Sequence, residues 1–209
     1  MGYPRTMAKL QNPPLRKTVV LIGLMAAGKS SIGRRLAVRL GTRFTDADEE
    51  IEVAAGCPIE DIFEFHGEDA FRDGERRVIA RLLDGDPHVL ATGGGAFMDA
   101  DTRARIRETG LSVWLRADLD VLVQRIKRRR KRPLLKNGDP RTILEGLIAE
   151  RYPVYAEADI TVDTVDAPHE SLVDEIIERL AALPGSGLGP ASHTEPDETA
   201  PQPEASPDR

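Results

Sequence analysis

The chain has 209 residues, 40 % apolar and 31 % charged, which suits one α/β domain with a sizeable core and argues against a natively disordered chain. Its formal charge of −6 argues against a general nucleic-acid binder, and much of that charge lies from Pro184 onward, leaving the rest near neutral with 28 bases against 30 acids. The single cysteine, Cys57, excludes an internal disulfide and fits a reducing compartment, and no apolar run reaches membrane-spanning length, so the expected setting is cytoplasmic and away from membranes.

Residues 1–17, with Pro4, Pro13 and Pro14 and no apolar period, read as a flexible leader. Thr18 to Ile22 is a continuous β-rich apolar run, as a buried parallel strand requires. A glycine-rich turn follows, then a helix over 29–40 with Ile32, Leu36, Ala37 and Leu40 at helical spacing and Gly41 as its stop. Arg43 to Thr45 predicts a short second strand ending at Asp46, and helices follow over 48–55, 59–65 and 67–83. A third strand over 88–92 ends in Gly93-Gly94-Gly95. A helix over 100–109, a strand over 111–115 and a helix opening at Asp118 and running to about Arg128 come next. A basic stretch over 127–139 reads as a short mobile lid, then a helix over 140–157, a last strand over 160–162 and a closing helix over 168–183 complete the body. Strands alternating with helices predict a three-layer α/β/α fold with a five-stranded parallel sheet, whose ligands bind beyond the carboxyl ends of the strands. The acidic Pro-, Gly- and Ser-rich tail from 184 to 209 is too polar to offset its chain entropy and reads as disordered.

Gly23-Leu24-Met25-Ala26-Ala27-Gly28-Lys29-Ser30 fits G-x-x-x-x-G-K-[ST] in full, between a predicted strand and a predicted helix, which marks a P-loop NTPase type of fold. The chemistry dictates the residues. Backbone N–H groups from Ala26, Ala27 and Gly28 to Lys29, Ser30 and Ser31 surround a polyanion at a helix N-terminus, Lys29 adds a point charge at the β- and γ-phosphates, and the Ser30 hydroxyl can ligate Mg²⁺. ATP with Mg²⁺ is therefore the expected nucleotide. The absence of an Asn-Lys-x-Asp motif disfavours a GTPase, and the short body favours a small-molecule kinase.

Three further groups bear on the acceptor. Asp46-Ala47-Asp48 follows the second strand, one step across the sheet from the loop; Phe71-Arg72 with Glu75 lies on one helix face; Gly93 to Gly95 ends the third strand. With Arg132-Pro133-Leu134-Leu135 and Arg151 to Tyr155 they form the ordered pattern G-x-x-x-x-G-K-S, D-x-D, F-R-x-x-E, G-G-G, R-P-L-L and R-x-x-x-Y over residues 18–182. This pattern resembles the shikimate kinase family. Taken alone, Asp48 reads equally as a cap for the following helix, Arg72 and Glu75 as a surface pair, and Arg151 as part of a solvated helix face.

The resemblance implies phosphoryl transfer from ATP to the 3-hydroxyl of shikimate by a monomer, in the synthesis of aromatic amino acids. It implies that Arg72 and Arg151 grip the shikimate carboxylate, that Asp48 orients or deprotonates the attacking hydroxyl, and that Gly94 and Gly95 let the ring approach the backbone. It further implies that Asp46 joins Ser30 as a magnesium partner through water, that Glu75 orients Arg72, that Arg125 stacks on adenine, and that Arg132 reaches the transferring phosphoryl group from the lid. Departures are Met25-Ala26-Ala27 in the loop, where relatives carry smaller or more glycine-rich residues, Ser31 where threonine is common, and Asp73-Gly74 after Arg72. The rival readings are a gluconate-type kinase on the same sheet and a nucleotide-dependent RNA-binding module built on the run Lys127 to Arg132.

Overall fold

A computed structural model describes residues 15–128, 139–164 and 169–188. Five strands, β1 (Thr18–Ile22), β2 (Phe44–Asp46), β3 (Val89–Ala91), β4 (Gly110–Arg116) and β5 (Ile160–Asp163), form one parallel sheet in the order β2-β3-β1-β4-β5. All of β1 and β3 and nearly all of β4 are buried, which is why their sequences are apolar without alternation. Among the described residues the covering helices are α1 (Lys29–Leu40), α2 (Ala47–Ala55), α3 (Ile59–Leu83), α4 (Ala100–Thr109), α5 (Leu119–Arg128), α6 (Pro140–Tyr155) and α7 (His169–Ala182), with a 3₁₀ turn at Ala96–Met98. None of these helices is long and apolar enough to cross a membrane.

The register decides where function can sit. Leu21 pairs with Ala91, and Ala91 with Asp46, so Gly23, Gly93 and Asp48 each lie two residues beyond one transverse row. They share one rim, at the carboxyl ends of β1, β3 and β2. The N–H and hydroxyl of Thr92 both donate to the Leu21 carbonyl, tying the ends of β1 and β3 together just below that rim.

The expected break between two helices in 59–83 is present in altered form. Helical hydrogen bonding runs through, but Gly67 stands at φ 80° and ψ 175°, where the chain kinks. Gly74 does not interrupt the helix. The body also extends past the expected 18–183. Leu15, Ser186 and Leu188 are buried, and the Arg16 N–H donates to the Ser186 carbonyl at 3.2 Å. Residues 1–14 and 189–209 of the expected leader and tail lie outside the described residues.

His88, at the opposite end of β3, is fully buried. Its Nδ1 donates to the Asp86 carbonyl at 2.9 Å, and its Nε2 has no partner among the described residues. Protonation would therefore create a buried donor with nothing to bond. Burial holds the imidazole below its usual range, with Arg43 adding to that effect while the Asp86 carbonyl and Glu50 oppose it. The unfolded chain takes up the proton first as the pH falls, so stability is lost below about pH 6.5, at up to about 1.4 kcal/mol per pH unit. His88→Asn keeps a donor for Asp86 and removes this titration. Urea unfolding at several pH values should show the parent curve falling towards that of the variant as the solution is acidified; a constant gap would disprove the assignment.

Candidate active site

The glycine loop is built for an anion. Helices α2, α4 and α6 each begin with an aspartate side chain accepting a backbone N–H, from Asp46, Asp99 and Asp139 respectively. Helix α1 begins on Gly28 at φ 106° with no side-chain cap and no acid in its first turn. Its first N–H donors thus lack the usual carboxylate, and the helix N-terminus favours a negative ligand. Gly23 and Gly28 supply positive φ at no steric cost; Ala26 does so at φ 63° with a Cβ. The Lys29 Nζ donates to the Gly23 and Leu24 carbonyls at 2.8 and 3.0 Å, which holds the ammonium within the loop. Arg125 Nη1 donates to the Ala27 carbonyl at 3.1 Å and lies 3.4 Å from both the Ala26 carbonyl and the Thr164 hydroxyl. This guanidinium therefore grips the loop itself. The Ser31 hydroxyl accepts from Arg35.

Asp46 does two jobs. One carboxylate oxygen accepts the Asp48 N–H at 3.2 Å and caps α2; the other accepts the Ser30 hydroxyl at 2.8 Å. The cap that Asp48 might have supplied is thus provided two residues earlier, and Asp48 sits in the first turn of α2 facing the rim.

The three glycines after β3 are each a point of close approach. A Cβ on Gly93 would lie 2.9 Å from Glu75 Oε1 and 3.0 Å from Asp48 Oδ1; on Gly94, 3.3 Å from Arg151 Nη1; on Gly95, 2.3 Å from Arg72 Nη1. Side chains from α2, α3 and α6 therefore converge on one three-residue turn because it has no side chains of its own. The same turn adjoins the phosphate loop, since a Gly94 Cβ would lie 3.6 Å from the Gly23 carbonyl. Arg72 is anchored from below by Glu75, 2.7 Å from Nη1, and meets the exposed Glu68 at 3.1 Å from Nη2. Glu75 is only 3 % exposed and its Oε1 has no partner among the described residues. Burial pushes its carboxyl up, against the pull of Arg72. The arrangement joins two guanidinium groups, two carboxylates and bare backbone beside an anion loop.

A family model for shikimate kinase matches residues 25–181. The chain belongs to the shikimate kinase family. It is 62 % identical over 164 residues to a shikimate kinase of Rhodopseudomonas palustris, covering 78 % of this chain and 81 % of that one. A solved shikimate kinase of Acinetobacter baumannii, in complex with shikimate, superposes with a TM-score of 0.73 at 38 % identity, covering 78 % of this chain and 91 % of the other. A gluconokinase of Sinorhizobium meliloti superposes with a TM-score of 0.52 at 22 % identity, covering 80 % of this chain and 93 % of that one, a likeness of fold alone.

Of the residues expected at the site, the rim brings together Asp46, Asp48, Arg72, Gly94, Gly95 and Arg151 with the loop from Ala26 to Ser31, and Arg125 touches that loop from α5. Arg132 and its neighbours in the expected lid lie outside the described residues. Two contributors carry no distinctive sequence signal. Glu68 precedes Arg72 by four residues, a helical spacing too common to single out, and Thr164 meets Arg125 only through the sheet.

Gly95→Ala follows directly from this geometry. The atoms that its methyl would strike belong to the far end of a flexible arginine, so the fold should tolerate the change while Arg72 is pushed off the turn. We expect stability within about 1 kcal/mol of the parent and a rise of at least about tenfold in KM for the acceptor, with KM for ATP little changed. Equal effects on both substrates would contradict the placement.

Proposed function

We propose that this chain transfers the γ-phosphoryl group of ATP to the 3-hydroxyl of shikimate, giving shikimate 3-phosphate and ADP. The observation that carries the reading is the glycine turn on which Asp48, Arg72 and Arg151 converge, on the same rim as the uncapped loop. Shikimate offers one carboxylate and three hydroxyls. Arg72 keeps Nη1 on Glu75 and offers its other edge, now on the exposed Glu68, to the carboxylate; an exposed ion pair is worth little and yields to a bidentate partner. Arg151 approaches at the neighbouring Gly94. Asp48 accepts the hydrogen of the 3-hydroxyl, the hydroxyl oxygen bonds to the γ-phosphorus, and the bond from that phosphorus to the bridging β-oxygen breaks. The hydroxyl proton passes to Asp48 and then to solvent. Lys29 and the loop N–H groups hold the phosphate charge in place throughout, so catalysis is positioning and electrostatics.

Mg²⁺ fits the residues present. Among the described residues no group of three or more His, Cys, Asp or Glu could hold a metal alone, whereas a hydroxyl and one carboxylate 2.8 Å apart suit a cation that keeps its waters and binds through phosphates. Ser30 and, through water, Asp46 would hold it, and it would neutralise charge between the β- and γ-phosphates. The monomer remains what the family resemblance implies, and the free Cys57 suits the reducing cytoplasm.

The deciding assay is ADP release with shikimate, with gluconate and with no acceptor. Stimulation by shikimate alone is expected. Stimulation by gluconate alone would transfer the chain to the rival kinase class, and tight RNA binding with no acceptor-dependent turnover would replace both.

A further inference from the structure

The R-x-x-x-Y motif leaves one residue without a task. Tyr155 closes α6 one helical turn beyond Arg151, on the same face, and is fully buried. Its ring sits edge-on to Phe97 and Trp114, with centroids at 6.4 and 5.9 Å, and beside Tyr152 at 6.2 Å. Aromatic packing on these sides fixes the ring in place. The hydroxyl is aimed at the glycine turn. It donates to the Gly94 carbonyl and lies beside the Arg151 guanidinium, since a Cβ on Gly94 would stand 3.3 Å from Arg151 Nη1 and 3.8 Å from the Tyr155 hydroxyl. Burial pushes the phenol up to about 12, against the pull of Arg151, so the hydroxyl keeps its proton and its donor role across the working pH range.

The other carbonyls of the turn are also taken. Gly93 accepts from the Ala96 N–H at 3.3 Å and Gly95 from the Met98 N–H at 3.0 Å. With the Gly94 carbonyl held by Tyr155, all three have partners within the protein. A trans peptide points its N–H opposite its C=O, so fixing the Gly94 carbonyl also fixes the direction of the Gly95 N–H.

We infer that Tyr155 is a positioning residue for the acceptor, its hydroxyl serving as a relay that locks the Arg151 guanidinium and the Gly94–Gly95 peptide into one orientation. The inference rests on the reading that Arg151 and this turn hold the acceptor. Tyr155 never touches the substrate; it removes the freedom of two groups that do. Polar contacts in series through a buried hydroxyl strengthen one another, so losing the middle member loosens both ends.

Tyr155→Phe removes one oxygen and keeps the ring. We expect KM for shikimate to rise about tenfold, a rise several times larger than the fall in kcat, with KM for ATP little changed. In a double-mutant cycle with Arg151→Lys, the two effects should combine to less than their product, because both break the same relay. A purely structural tyrosine would lower the melting temperature and leave the ratio of the two KM values unchanged, and that result overturns the inference. If Arg151→Lys weakens shikimate binding while Tyr155→Phe does not, the relay is wrong and the site stands. If neither variant alters shikimate binding, the site reading itself fails. Should Tyr155→Phe be too unstable for turnover, shikimate titration in the cold, followed by the fluorescence of Trp114, the sole tryptophan, gives the ratio of affinities directly. A ratio near ten supports the relay, and a ratio near one overturns it.

Discussion

Lys29→Met should leave a folded protein whose kcat/KM for ATP is reduced about 10²–10³-fold. The size of the effect follows from what the ammonium does in this loop. It is held by the Gly23 and Leu24 carbonyls, 2.8 and 3.0 Å away, in a part-buried position where charge is less screened than in water. When phosphate arrives, the charge is already in place and little reorganisation is needed. Methionine matches the length of the stem and keeps its packing, but it supplies no charge and leaves both carbonyls to solvent, at about 1 kcal/mol each. Lys29→Arg should not restore activity, because a planar fork does not reproduce the compact ammonium charge held between the Gly23 and Leu24 carbonyls. Calorimetric titration with a non-hydrolysable ATP analogue, alongside steady-state rates, separates lost binding from lost chemistry. Wild-type turnover in the methionine variant would remove the lysine from the mechanism.

The parts that are legible in the sequence are those whose cause is local. β1 is a threonine and four apolar residues ahead of a glycine, and its ends fall where the pattern puts them. Helix α1 is bounded by Gly28 and Gly41, both in left-handed backbone conformations that glycine adopts without strain. The phosphate loop is a single uninterrupted motif. The convergence of Asp48, Arg72 and Arg151 is another matter. These residues are 24 and 79 positions apart along the chain, and only the packing of α2, α3 and α6 around the end of β3 brings them to one turn.

What stays hidden depends on contacts across the sheet. The pairing of Arg16 with Ser186 joins two segments whose compositions both resemble free chain, so composition alone places the ends of the body a few residues too far in. The guanidinium of Arg125 also reaches the loop carbonyls and Thr164, contacts that the sequence of α5 does not encode. The three glycines suggest room for a ring to approach backbone. The space above them is already shaped by a carboxylate pair and two guanidinium groups, so the glycines serve the protein's own side chains before they serve a ligand.

Asp48→Asn should lower kcat about 10²–10⁴-fold with KM for ATP nearly unchanged. The amide preserves size and still accepts a hydrogen bond, but it cannot take the proton of the attacking hydroxyl. Stability should hold, because the helix cap belongs to Asp46 and the variant leaves that carboxylate on the backbone N–H of residue 48. The neighbouring substitution supplies the contrast. In Asp46→Asn the side chain still caps α2, asparagine being as good at that position, while the negative charge beside the Ser30 hydroxyl is gone. Its defect should therefore appear as a higher Mg²⁺ requirement, partly overcome by adding the ion, whereas no concentration of Mg²⁺ should rescue Asp48→Asn. Rates measured across a magnesium titration in both variants test the division of labour between two aspartates separated by one residue. Rescue of Asp48→Asn by the metal would mean that the two carboxylates share one role, and Asp48 would lose its claim to the hydroxyl.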